Sequence, residues 1–273
     1  MNAGTEGRRA CALAIGGLDP GGGAGLAADL RAFGAAGAFG CAAAAVLTVQ
    51  SSAGLRTVRA VPAREVALQA SEVLAHQRVR AVKVGALGSE ANVRAVARLL
   101  ARHGEVPVVV DTPMLPTRGR ARLLAARALE AVRAELLPRA TLVTANLAEA
   151  QALVGEPVRT VSEAHDAARA LARRGPRAVL IKGGHMAGAS AIDVLALGGE
   201  VIELRARRLP LPATHGTGCT FASLVAGRLA GRASARVGRD DLVAAIRWAK
   251  RVHHAALGRV VDVGDGLRAI VFA

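Results

Sequence analysis

Residues 215–219, His-Gly-Thr-Gly-Cys, put two glycines and a thiol at the point where a helical pattern begins. Gly216 and Gly218 have no Cβ, so the backbone there can turn sharply and approach a ligand closely. The first amide N–H groups of a helix are unpaired and carry partial positive charge. A turn of this kind suits an anion, above all a phosphate. The same glycines would also serve a plain cap on a core helix, because Phe221, Leu224, Val225 and Leu229 follow at the spacing of one buried stripe. Cys219 opens that helix, where a thiol pKa is expected to fall. As a thiolate it would accept a proton; its alternative is a small buried hydrophobe.

The cations narrow the chemistry further. Lys and Arg number 36, yet only Lys83, Lys182 and Lys250 are lysine. Each of these marks a place where a compact ammonium suits better than a planar guanidinium. Lys83 and Lys182 close apolar runs (VRAVKVG and RAVLIKGG), and Lys182, ahead of two glycines, can reach a phosphate. Lys250 stands between Arg247 and Arg251 and reads as a surface residue. Asp111 and the pair Asn146 and Glu149 are oxygen donors of the sort Mg²⁺ takes, since that ion keeps waters and needs only one or two carboxylates. An Asn cap with a first-turn Glu explains the Asn146–Glu149 spacing equally well.

These residues must be held by something, and the chain alternates strand-like and helix-like runs throughout. CALAIGG (11–17), GCAAAAVLTVQ (40–50), LRTVRAV (55–61), VRAVKVG (79–85), VPVVVD (106–111), ATLVTAN (140–146) and PRAVLIKGG (176–184) read as strands. Helices are expected between them, including one over 119–135, and a last one near 240–257. Residues 191–204 read as a hairpin about Gly198-Gly199, the one antiparallel feature expected. Strands apolar on both faces and alternating with helices predict an α/β fold, a mostly parallel central sheet with helices on both faces. In such sheets ligands gather at the carboxyl ends of the strands. Asp19, Gln50, Asp111, Asn146 and Lys182 with His185 all stand there. LDPGGGAG, joining the first strand to a helix, reads as a close-approach loop over a small ligand. In that helix Leu26, Leu30 and Phe33 form the apolar stripe, with Asp29 at its margin.

Composition sets the bounds. The chain has 273 residues, 52% of them apolar, with four Phe, one Trp and no Tyr. A core of Ala, Leu and Val follows, in one domain over 1–273 with a disordered tail at 1–9. The net charge of +15 comes from single Arg residues spread along the helices. Without aromatics for base stacking, that argues against a nucleic-acid partner. The three cysteines form no CxxC pair, so neither a disulfide framework nor a zinc site is expected. Nor does any apolar run approach the ~18 residues of a membrane span. A cytoplasmic protein is expected.

In order along the chain, GGLDPGGGAGLAADL, LTVQ, KVGALGS, DTPM, TANLAEA, IKGGH and HGTGCT resemble the hydroxymethylpyrimidine/phosphomethylpyrimidine kinases of thiamine biosynthesis, within the ribokinase-like superfamily. The resemblance runs from about residue 11 to about residue 257. It implies ATP-dependent phosphorylation of 4-amino-5-hydroxymethyl-2-methylpyrimidine, then of its monophosphate, by a homodimer. Gly17, Asp29 and Gln50 would meet the pyrimidine, with Ala86 and Pro113 lining its pocket. Lys182 and the turn from Gly216 through Thr217 and Gly218 to Cys219 would hold the phosphates, with Asn146 on the ATP side. Asp111 and Glu149 would organise Mg²⁺ through water, and Cys219 would stand where most ribokinase relatives carry an Asp base. Departures cluster in the acceptor pocket: many members have Met at Ala86, Val at Pro113 and Ser at Gly17. They also carry Lys-Ser-Gly where this chain has Thr117-Arg118-Gly119. The same ring-and-arm geometry fits a pyridoxal or pyridoxine kinase, and a non-catalytic sensor would keep the same fold.

Overall fold

The computed structural model describes residues 9–112, 124, 127–184, 188–210, 214–232 and 236–272. Expectations for residues 1–8, Pro113, Thr117, Arg118, Gly119 and His185 lie outside them. The chain runs β1 (Cys11–Leu18), α1 (Gly25–Ala35), β2 (Phe39–Ser51), β3 (Gly54–Ala60), α2 (Ala63–His76), β4 (Val79–Val84), α3 (Glu90–Ala101), β5 (Val108–Asp111) and α4 (Ala128–Ala131). There follow β6 (Leu142–Asn146), α5 (Leu147–Val154), α6 (Val161–Ala172), β7 (Ala178–Lys182), β8 (Ser190–Leu197), β9 (Glu200–Arg207) and β10 (Thr214–His215). The last elements are α7 (Thr217–Ala230), α8 (Arg239–Leu257), β11 (Val261–Asp262) and β12 (Arg268–Ala269).

Nine strands form one sheet in the order β3-β2-β1-β4-β5-β6-β7-β8-β9. The run from β2 to β7 is parallel. Alternate residues of each parallel strand feed two cores. Leu13, Ile15, Val82 and Val84 pack under α2–α6, while Ala12, Ala14 and Ala81 meet α1, α7 and α8. The second face is lined by alanines because helices lie close there. A Cβ on Gly227 of α7 would come within 2.7 Å of Ala36 and 3.2 Å of the Phe33 backbone of the α1 segment. α7 is wedged between the sheet, α1 and α8, so it is buried on nearly every side rather than along one stripe.

Strand order reverses at β1, whose neighbours are β2 and β4. That is the crevice where open parallel sheets bind ligands. Gly16 keeps it narrow: a Cβ there would stand 3.7 Å from the Gly85 Cα.

Several expectations are corrected. The hairpin β8–β9 turns at Gly198-Gly199, both at positive φ, but it is not the one antiparallel feature. β2 turns at Ser52-Ala53 and pairs antiparallel with β3, and β7 pairs antiparallel with β8. The outer half of β2 leaves Leu47 and Val49 exposed on one face, beside exposed Leu18 of β1, so this strand is not buried throughout. In α1 the buried residues are Leu26, Ala28, Asp29, Ala32 and Phe33, while Leu30 is exposed. The helix turns its small residues and Asp29 inward because β4 supplies a cation beneath. Over 119–135 the described helix starts only at Ala128, then widens into a π turn (Val132–Leu136) and tightens into a 3-10 turn (Leu137–Arg139). Lys250 is not a surface residue: its Nζ lies 2.5 Å from Asp193 Oδ2, tying α8 to β8. On the same helix His253 is turned inward, its ring edge-on to Phe221 at 5.7 Å.

Candidate active site

Parallel pairing places Asp111 level with Thr144 and Asn146 level with Lys182. The carboxyl ends of β5, β6 and β7 thus present one row of polar side chains. Lys182 donates from Nζ to Asp111 Oδ1 at 2.9 Å, and Thr144 donates to the same oxygen at 2.9 Å. Burial alone would raise the Asp111 pKa, but Lys182, Lys83 and Thr144 hold it below the ordinary carboxylate range. Burial also opposes the charge on Lys182; Asp111 and Glu149 overcome that and keep it protonated. Behind Lys182, Asp193 accepts the Gly183 N–H at 2.9 Å and takes Lys250 on its other oxygen.

Above this row sits the start of α7. Gly216 is left-handed (φ +71), and a Cβ on it would lie 2.0 Å from the Gly23 carbonyl oxygen, so the turn requires glycine. A Cβ on Gly218 would stand 3.0 Å from Lys182 Nζ and 3.9 Å from Asp111. Helices α5 and α6 have their first amides satisfied by capping boxes, Asn146 with Glu149 and Thr160 with Glu163. Among the described residues no side chain caps α7. The Lys182 ammonium lies beneath this helix start.

Asn146 and Glu149 therefore form the box that the spacing allowed: Glu149 N–H donates to Asn146 Oδ1 at 2.9 Å, and Asn146 N–H to Glu149 Oε2 at 2.7 Å. Burial pushes the Glu149 carboxyl up to about 7; Lys182 opposes this while Asp111 adds to it.

Cys219 departs from expectation. Its thiol is pushed up to about 11, first by burial and then by Asp111 and Asp29, against the pull of Lys83 and the Gly25 N–H. The helix-start argument counted only the amides. Partial burial and two nearby carboxylates outweigh them.

Beneath Cys219 lies a second ion pair, which the sequence did not disclose. Lys83 Nζ donates to both Asp29 oxygens at 2.9 and 3.0 Å, and Ser223, one turn after Cys219, donates to Asp29 Oδ1 at 2.7 Å. Neither Lys83 (1% exposed) nor Asp29 (0%) meets solvent. Gly85 leaves room for this ammonium, since a Cβ there would stand 2.8 Å from Nζ. Burial works against the Lys83 charge, yet Asp29 holds its pKa above the ordinary value. An Asp29 contact with a ring would require this closed pair to open.

The acceptor end lies across the crevice. Gly17 of β1 adjoins Ala86 and Val46; a Cβ on it would meet theirs at 3.6 and 3.5 Å. Gln50, at the end of β2, joins His215 at 2.9 Å, and His215 joins Asp19 at 2.9 Å. Asp19 also folds its own loop, accepting the Gly21 and Ala24 N–H groups at 2.9 Å each. His215 was read only as part of a glycine turn. Its burial, at 6% exposed, came from contacts 165 and 196 residues away in sequence.

Comparison with known proteins fits this arrangement. The family profile described as phosphomethylpyrimidine kinase matches residues 19–270. A hydroxymethylpyrimidine/phosphomethylpyrimidine kinase of Streptomyces coelicolor is 42% identical over 93% of this chain and 91% of its own length. One from Rhizobium meliloti is 38% identical over 94% of each chain. Among solved structures, the ADP complex of Bacillus subtilis pyridoxal kinase superposes with TM-score 0.85 at 28% identity, covering 96% of this chain and 97% of that one. The phosphomethylpyrimidine kinase of Clostridium difficile gives 0.76 at 27% identity, covering 91% and 99%. The sheet and its flanking helices are ribokinase-like. With a 38–42% identical set of relatives and a profile spanning the site just described, the chain belongs to the phosphomethylpyrimidine kinase family.

Proposed function

We propose that this kinase transfers the γ-phosphoryl group of ATP to the hydroxymethyl oxygen of 4-amino-5-hydroxymethyl-2-methylpyrimidine, and then phosphorylates the resulting monophosphate. One observation carries the reading most: Gly218 at the open start of α7 lies directly over Lys182 and Asp111. Phosphoryl transfer depends on positioning and on charge stabilisation over the moving group. The Thr217, Gly218 and Cys219 amides and Lys182 are arranged for that, with Asn146 on the nucleotide side. The acceptor oxygen bonds to phosphorus as the bond to ADP breaks, and Cys219, when ionised, takes the hydroxyl proton. Gly17, Ala86, Gln50 and Pro113 bound the ring, and Asp29 shores up the floor below Cys219.

Mg²⁺ belongs to this proposal. Among the described residues no three His, Cys, Asp or Glu side chains gather to hold an ion alone. Asp111 and Glu149 are close enough for one to raise the other's pKa, which suits a cation held by two carboxylates, waters and phosphates. When bound, it would neutralise charge on the transferred group.

The proposal extends to a single kinase domain, working in the cytoplasm as a homodimer, with no nucleic-acid or membrane partner. Exposed Leu18, Leu47 and Val49 form an apolar patch fit for a second copy. Among the described residues no helix is long and apolar enough to cross a membrane. Light scattering behind a sizing column tests the dimer. The function is tested by coupled ADP release with the pyrimidine, its monophosphate and pyridoxal as separate acceptors.

A further inference from the structure

The contact between His215 and Gln50 contains information about the acceptor that no family resemblance supplies. His215 Nε2 lies 2.9 Å from Asp19 Oδ2 and 2.9 Å from the Gln50 amide. Asp19 is a carboxylate that already accepts two backbone N–H groups. Burial would raise its pKa, but His215 and those amides hold it below the ordinary range, so it is ionised. An ionised carboxylate only accepts, which makes His215 Nε2 the donor and places a proton on it. The Gln50 amide lies against that same N–H, which Asp19 and Gln50 share as a three-centre bond. Its nitrogen is the nearer atom, but the two ends of an amide are isosteric and the partner decides between them. Donor against donor is repulsive; the oxygen belongs there.

The dyad is also held rigidly. A Cβ on Gly23 would lie 2.4 Å from His215 Cδ2, so the glycine loop closes against that side of the ring. His215 directly precedes the Gly216–Gly218 turn, and thus one residue pair links the acceptor end to the phosphate end.

We propose that His215, oriented by Asp19, fixes the Gln50 amide with its oxygen inward and its NH₂ toward the acceptor ring, which makes His215 a specificity-determining residue for rings that accept a hydrogen bond at that edge. This rests on the reading that Gln50 meets the acceptor. A pyrimidine nitrogen satisfies it; a C–H or N–H at the same place does not.

The test measures acceptor KM, ATP KM and acceptor Kd by calorimetry in Gln50→Ala, Gln50→Glu, His215→Leu and His215→Gln. A glutamate can accept from His215 but cannot donate outward. Gln50→Glu and Gln50→Ala should both raise acceptor KM and Kd about tenfold or more, with ATP KM within about twofold. His215→Leu should move the same way. His215→Gln, whose amide nitrogen can replace Nε2, should return to within about threefold of the parent. Parent-like acceptor binding by Gln50→Glu alongside impaired Gln50→Ala would overturn the orientation, since the outward atom would then be an acceptor. Parent-like Gln50→Ala would remove Gln50 from the acceptor site and the inference with it, while wild-type turnover of the pyrimidine would still stand.

Discussion

Two lysine–aspartate pairs flank Cys219, and they differ mainly in access to water. Lys83–Asp29 is closed, at 1% and 0% exposure, with Ser223 completing the carboxylate's partners. Lys182–Asp111 is open on one side, at 16% and 3%, and faces the uncapped start of α7. A fully desolvated pair loses much of its Coulomb gain to burial, and removing one partner strands a charge. A pair with one open side can exchange its partner for a phosphate or a cation. The same residue types therefore serve as a lock in one place and as chemistry in the other.

The largest effect should come from the residue between them. Cys219→Ala is expected to lower kcat by about 10²–10⁴ with ATP affinity little changed. Because the thiol sits up at about 11, the parent's rate should climb with pH between about 7 and 9 as the thiolate fraction grows. The alanine variant should lose that climb; stopped-flow rates across pH check both.

Lys182→Met should lower kcat by about 10²–10³, the usual cost of removing one transition-state donor. Lys182→Arg should restore little, because the guanidinium fork does not fit where a compact ammonium lies 3.0 Å from the Gly218 Cβ position. Neither variant should shift the denaturation midpoint far.

The closed pair should respond in the opposite way. Lys83→Met leaves Asp29 buried without its cation, and urea denaturation should show a loss of about 3–5 kcal/mol. Asp29→Asn should also destabilise, with acceptor and ATP KM moving together. A selective rise in acceptor KM would instead make Asp29 a ring contact and blur the distinction between the pairs.

The smallest effect concerns His253, on the α8 side of α7. Burial, aided by Lys182, Lys250 and His254, pushes its pKa down to about 4 against the Thr217 backbone contact. The unfolded chain takes up a proton near the ordinary value of about 6.5, which the native ring refuses until about 4. This group's contribution is thus intact above about 6.5 and lost as pH falls toward about 4. Melting curves of His253→Phe should show a shallower acid loss than the parent over that window.

The open pair was legible in the sequence, because strand ends advertise themselves. Asp111, Asn146 and Lys182 each close an apolar run, and parallel pairing brings such ends together. The lock was not. Lys83 and Asp29 are 54 residues apart, and periodicity put Leu30 inward in Asp29's place. His215 was equally hidden, since its partners lie on a loop and a strand far upstream. The β2–β3 turn offered only Ser-Ala between its strands, with none of the Asn-Gly or Gly-Gly signal that gave away β8–β9. The rise of the Cys219 pKa is a balance between burial and four charged neighbours or amides, and no local pattern encodes a balance.

The central claim is phosphoryl transfer to a pyrimidine acceptor at the start of α7. It is tested most directly by kcat/KM for ATP-dependent phosphorylation of hydroxymethylpyrimidine against pyridoxal, in the parent and in Lys182→Met. The account predicts that the pyrimidine leads by at least about 10² and that Lys182→Met abolishes most turnover of both. Equal or better turnover of pyridoxal, or a Lys182→Met enzyme near parental rates, would contradict it.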